Sequence, residues 1–150
     1  PTIAELAGIP ANNSFQGKSI APRLQNYLLK GDQQIFAEQH KHGYDINKRA
    51  VRTDDFLYIR AIGDNRIKCL LEVQPMGKQL VEAFRAKKAT AMQTLCFGKQ
   101  AEEELYAAGS RDPWQISNLA DNPKFAAEKA KLKQLMDQQA KHVGDDRYQP

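Results

Sequence analysis

The run RAVRTDDFLYIRAI, residues 49–62, constrains the fold more than any other stretch. Two strand-forming segments, AVRT and FLYIRAI, flank Asp54 and Asp55, whose short carboxylates favour a tight turn. That is the pattern of a hairpin. In FLYIRAI, Leu57, Ile59 and Ala61 point to one side and Phe56, Tyr58, Arg60 and Ile62 to the other, which leaves a face for a helix to cover. IFAEQH (35–40) and ELYAA (104–108) read as further strands. LVEAFRAKK (80–88) offers Leu80, Val81 and Phe84 on one helical side, and TAMQTLCF continues the helical signal until Gly98 breaks it.

Downstream of ELYAA come two helix starts. In DPWQIS, Asp112 is placed to cap a turn begun by Pro113; in DNPKF, Asn122 is placed to cap a helix with Pro123 at its first position. Phe125, Leu132, Leu135 and Met136 give that last helix an apolar stripe, while its Lys and Gln residues face water. Several strands and a covering C-terminal helix predict an α+β fold: a small antiparallel sheet of about four strands in two layers with the helix after Asn122.

The N-terminal part reads differently. In PTIAELAGIP, Thr2 and Glu5 have capping-box spacing, Ile3, Leu6 and Ala7 make an apolar stripe, and Gly8 supplies a stop. A helix of barely two turns is marginal unless it continues or packs on something larger, because nucleation is costly. The chain is therefore expected to begin inside a bigger protein; a processed terminus is the alternative, since Pro1 is what remains when an initiator Met is trimmed. From Ala11 to Asp32 the segment is loop-like, punctuated by Asn12, Asn13, Gly17, Pro22 and Gly31, with Ile20, Leu24 and Leu28 as expected anchors. The division is residues 1–32, helix end and linker, and residues 33–150, the α+β part.

At 150 residues the chain is long enough for one packed core, and 41% hydrophobic against 27% charged residues argues against disorder. No apolar run approaches the roughly 20 residues that a spanning helix needs, and the N-terminus lacks a basic-then-apolar signal pattern, so no membrane association is expected. The net charge of +4 favours polyanions weakly. The densest basic cluster, Lys124 to Lys133, has the helical interleaving of a solvated face, so nucleic-acid binding is not expected. Cys69 and Cys96 match neither a redox pair nor a zinc pattern.

Three motifs in order carry a resemblance. PTIAELAGIP followed by FQGKSIAPRL resembles the segment of sulfatases in which the last helix of the catalytic domain leads into a linker, written Pro-Thr-x-x-x-Leu-Ala-Gly and then Gln-Gly-x-Ser-Leu-x-Pro. RAVRTDDFLYI resembles the family's Arg-x-Val-Arg-Thr-x-x-x-Lys-Tyr-Ile hairpin. EELYAAGSRDPWQISNLADNP is similar to the Glu-Leu-Tyr-Asp, Asp-Pro-x-Glu, Asn-Leu-Ala ending, with Ala107 and Gln115 departing from it. The His pair after IFAEQ, the insertion before CFGKQAEEELY and the SRDP corner resemble the heparan N-sulfatase (sulfamidase) type most. Sulfatases hydrolyse sulfate esters or sulfamates with a formylglycine made from Cys or Ser in Cys/Ser-x-Pro-x-Arg, beside a calcium. Neither Cys69 nor Cys96 has Pro two residues on or Arg four residues on. The resemblance therefore implies a C-terminal subdomain that is inactive alone. Formylglycine and calcium are expected in the catalytic domain of the same parent chain, with a sulfated glycan as ligand.

Glu38, His40 and His42 are the candidate substrate-binding residues: they share one side if the strand runs on to His42, and the resemblance puts that strand end near the mouth of the cleft. Exposed polar residues at a strand end are the plainer reading, and a Glu with two His is weak evidence for a metal. Lys41, Lys48, Arg49 and Arg52 add positive potential toward an acidic glycan, unless Arg52 pairs within the sheet. Trp114, Tyr106, Phe84, Phe97 and Phe125 are expected in the core. A stand-alone basic module for anionic glycans or nucleic acid is the alternative from another class. A structural or interaction domain with an apolar partner face around Ile3, Leu6 and Ile20 is the third reading.

Overall fold

The computed structural model describes residues 1–10, 12, 14–15, 17–29, 34–41, 45–63, 74–94, 97 and 101–148. His42, Cys69, Cys96 and Gly98 lie outside them. The chain forms two compact units, Pro1–Gln33 and Gln34–Pro150.

In the second unit four strands make one sheet in the order β1-β2-β3-β4, every neighbouring pair antiparallel. They are β1 (Gln34–Lys41), β2 (Asp45–Thr53), β3 (Phe56–Ala61) and β4 (Glu103–Ala107). The expected hairpin is β2 and β3. Its turn is closed by Thr53, whose Oγ1 accepts from the backbone N–H of Phe56 at 3.1 Å and of Asp55 at 3.3 Å. Arg111, from the SRDP corner, donates to the backbone oxygen and carboxylate of Asp55 and lies over the Phe56 ring, 5.2 Å from its centroid. The corner thus pins the turn.

Helix α5 (Ala126–Val143) covers the side of the sheet that carries Val51, Phe56, Tyr58 and Leu105. Asn122 and Pro123 start it as their chemistry predicts: Asn122 Oδ1 accepts from Lys124 N at 3.0 Å, one 3-10 turn (Pro123–Phe125) follows, and α5 begins. Leu132, Met136 and Ala140, four residues apart, form its buried stripe, with Phe125 and Leu135 packed at the margin. Gly144 ends the helix at φ +66 with Asp145 N bonded back to Ala140 O, a left-handed stop that any side chain would strain.

The Asn-Leu-Ala run has a structural purpose. Asn118 Oδ1 accepts from Leu105 N (2.9 Å) and Ala120 N (3.0 Å), its Nδ2 donates to Glu103 O, and Leu119 N donates to Leu105 O (2.7 Å). The outer edge of β4 is thereby satisfied without another strand.

Several expectations need correction. No helix starts at Asp112: its two carboxylate oxygens accept from Ile116 N and Ser117 N, both at 3.0 Å, which folds a capped loop with Gln115 at φ +53. Trp114 on that loop is 77% exposed and completes no core. The helical signal after Gly63 divides into α3 (Pro75–Arg85) and α4 (Ala91–Thr94), with Lys87 at φ +57 between them. Thr90 and Gln93 form a reciprocal capping box that starts α4 afresh, so the break is local chemistry. Phe84 and Phe97 stack on each other, 4.2 Å between centroids, outside the main core.

In the first unit α1 (Thr2–Leu6) ends at Gly8, φ +72, as expected. The Thr2 hydroxyl caps nothing in α1; it accepts from Ile20 N at 3.0 Å. The segment read as loop holds a short α2 (Ala21–Gln25), and its expected anchors Ile20, Leu24 and Leu28 are all exposed. Ala21 is the buried residue of α2.

Candidate functional site

Alternation along the strands puts Glu38 of β1, Asn47 and Arg49 of β2, and Arg60 of β3 on the helix-covered side, beyond the apolar core, and His40, at the register irregularity between Gln39 and Lys41, joins them through its contact with Glu38. Five polar residues at one end of a buried face need partners. The segment after α5 supplies them. Arg49, its side chain 6% exposed, makes a two-pronged bond to Asp145, 7% exposed: Nε donates to Oδ2 and Nη2 to Oδ1 at 2.8 Å. Its Nη1 donates to Asn47 Oδ1 and to Lys48 O, both at 2.9 Å, and Asn47 Nδ2 donates to Arg147 O. These hydrogen bonds from Arg49 hold the Asp145 carboxyl below its ordinary value against the effect of burial, with help from the Arg147 N–H and the nearby His40.

Glu38 joins the cluster from the exposed side, Oε2 3.7 Å from Arg49 Nε and 3.4 Å from His40 Nε2. Two of the three predicted site residues are therefore brought together, and His42 lies outside the described residues. The His40 side chain is one-third exposed, yet its Nδ1 is buried and has no hydrogen-bond partner among the described residues. Arg49 corrects an expectation: buried and neutralised by Asp145, it offers a glycan no free positive charge. Lys48 is half-buried and Arg52 exposed. Asp145 and Asn47 were missed, because a carboxylate 96 residues away and an amide in a strand carry no local signal of pairing.

A second polar group braces α5 to the sheet. Tyr58 donates to Glu103 Oε1, and Lys129 donates to Oε2 at 3.1 Å. Burial alone would raise the Glu103 carboxyl, but the bonds from Tyr58 and Lys129 hold it low. Tyr148 donates to Asp137, and its ring lies under the Arg60 guanidinium, 5.3 Å from the centroid. Burial and the Asp137 bond push the Tyr148 phenol up to about 12; burial and Glu103 push Tyr58 higher still. Both phenols stay protonated donors. Beside them an open cleft of about 680 Å³ is lined by Arg60, Gly63, Glu102, Glu103, Asp121 and Lys133, with charges of both signs.

Among the described residues no cluster of three or more His, Cys, Asp or Glu is placed to hold a metal ion, and no helix is long and apolar enough to cross a membrane. The polar groups described brace α5 and the segment after it to the sheet.

No family profile matches the chain, and no curated protein does. Solved structures do match. A protein assigned as a sulfatase from Bacteroides thetaiotaomicron superposes with a TM-score of 0.65 at 24% identity, over 97% of this chain and 24% of that one. The fold occurs in sulfatases. A 2-O GAG sulfatase matches with a TM-score of 0.64 at 23% identity, and a protein in complex with its substrate D-glucosamine-2-N,6-O-disulfate with 0.64 at 18%, each over 97% of this chain and 24% of theirs. The chain thus spans about a quarter of the length of the sulfatase structures it resembles, and the shared part includes both of its units.

Proposed function

We propose that this chain is the C-terminal part of a sulfatase, a hydrolase of sulfate esters or sulfamates, of the heparan N-sulfatase (sulfamidase) type. The observation that carries the proposal is the sulfatase fold over 97% of the chain, joined to three sequence motifs in family order. In this reading the sheet and α5 buttress the catalytic domain, their partner in the same parent chain. The end of the β1–β2 hairpin lines one wall of the substrate cleft, where Glu38, His40 and His42 bond sugar hydroxyls of a sulfated glycan. The sulfated-sugar chemistry of two of the matching proteins supports that ligand class.

Formylglycine and calcium, which would supply the nucleophile and the charge that binds sulfate, belong in this reading to a segment outside these 150 residues. The chain alone is therefore expected to hydrolyse neither an aryl sulfate nor N-sulfated glucosamine, with calcium or without it. The reading frame upstream of Pro1 tests the assignment: it should encode Cys/Ser-x-Pro-x-Arg, and a gene without that motif rules the proposal out.

The wall is tested in the parent enzyme by changing His40 and His42 together to Ala. Each lost sugar hydrogen bond is worth about 0.5 to 1.5 kcal/mol, up to roughly tenfold in kcat/KM for the glycan. A small aryl sulfate does not reach this wall and should turn over as before. Equal loss of both activities in a folded variant would contradict the glycan-specific role.

A further inference from the structure

His40 can meet a glycan only through its Nε2 edge, because Nδ1 is buried, and among the described residues the group facing Nε2 is Glu38. Glu38 is itself shared. The same oxygen, Oε2, lies 3.4 Å from His40 Nε2 and 3.7 Å from Arg49 Nε. A guanidinium facing a carboxylate normally takes it with two parallel N–H bonds. Arg49 does not take Glu38 in this way, because its Nε and Nη2 are both turned to Asp145 and its Nη1 to Asn47 and the Lys48 carbonyl. Asp145 is held in turn by the backbone: Gly144 in the left-handed region ends α5, Asp145 N bonds to Ala140 O, and Arg147 N donates to Asp145 Oδ1.

We propose that Asp145 is a positioning residue for His40: by holding Arg49 it leaves Glu38 free to accept from the Nε2–H of His40, which fixes the imidazole in the Nε2–H form with an unprotonated Nδ1 in the interior. The buried Nδ1 without a partner agrees with this, because an unprotonated nitrogen there leaves no donor unsatisfied. Remove the Asp145 charge and Arg49 turns its fork to Glu38, and His40 loses the group that selects its tautomer. The segment after α5, distant in sequence, thus sets the hydrogen-bonding sense of the hairpin end. The consequence for glycan recognition rests on the function proposed above; the tautomer does not.

The test is side-chain nitrogen NMR of the 15N-labelled chain at about pH 8, where free imidazole is neutral. His142, exposed on the last turn of α5, is an internal reference for an unconstrained ring. In the unaltered chain His40 should show separate Nε2–H and bare-Nδ1 shifts distinct from those of His142. In Asp145→Asn the two histidines should converge, while amide shifts of Val51 and Leu105 stay in place. Arg49→Lys, which keeps a charge for Asp145 but has no fork to turn to Glu38, should leave His40 distinct from His142. His40 indistinguishable from His142 in the unaltered chain overturns the proposal without any variant, and so does an unchanged His40 in folded Asp145→Asn. Titration with an N-sulfated heparin disaccharide then tests the glycan reading separately. Shifts at His40 support it, and their absence with an intact tautomer contradicts the glycan role alone.

Discussion

Arg49 illustrates how position overrides residue type. In sequence it belongs with Lys48 and Arg52 as positive potential, but in the structure it is the buried half of an ion pair with Asp145. Truncating either partner leaves the other charge buried and unpaired, so Arg49→Ala or Asp145→Ala should destabilise the second unit by about 3 to 5 kcal/mol, read as a fall in the urea midpoint. The pair also sets an acid limit. Because the folded Asp145 carboxyl lies below its unfolded value, its contribution is present above that unfolded value and is lost as pH falls through the folded one, with Glu103 acting in the same sense. Asp145→Asn should flatten the acid side of the stability profile. The phenols act at the other end: folded Tyr58 and Tyr148 are raised, so their contribution is complete below the ordinary phenol value and declines as pH rises past about 10. Tyr58→Phe should weaken that alkaline loss, measured by thermal melts across pH.

At the scale of elements, the edge of β4 is the informative place. An uncovered edge strand invites pairing with another chain, and here one amide side chain and one backbone N–H close it. Asn118→Ala deprives the buried Leu105 N–H of its acceptor, a loss of about 1 to 3 kcal/mol. The measurable outcome is a lower melting temperature and faster amide exchange at Leu105, with β1–β2 exchange changed less. The strands and α5 were legible because alternation and the Asn-Pro start are local codes. The loop at Asp112 was not, since an Asp before Pro caps a turn and a helix by the same bonds. Only the arrival of Asn118 at β4 decides between them. Trp114 follows from that loop: once no helix forms, nothing draws the indole inward.

For the whole molecule the apolar surface is unevenly distributed. The core cluster lies entirely within the second unit, whereas the first exposes Ile3 at 85% and Tyr27 at 88%, with Leu6, Leu24 and Leu28 beside them in sequence or on its short helices. On so small a unit this exposed apolar area accounts for much of what a hydrophobic dye can bind. Residues 34–150 expressed without the first 33 should still unfold cooperatively and should bind less of a hydrophobic dye per molecule than the full 150. Loss of cooperativity on that deletion would mean that the first unit contributes to the core.

What the sequence determined by itself was local and periodic: the hairpin about Asp54 and Asp55, the four strands, the stripe Leu132, Leu135 and Met136, the start at Asn122 and the stop at Gly8. Each depends on residues within a turn or two of one another, so backbone chemistry and side-chain spacing suffice. Tertiary structure alone decided which charges are buried. Glu38 and His40 were visible as a pair on one strand, but Arg49 and Asp145, which govern how that pair is held, meet across 96 residues. The reason is physical: a strand's pattern tells which face a side chain takes, while its partner is chosen by whatever element packs over that face. Here that element is the left-handed turn at Gly144, which swings Asp145 back over β2.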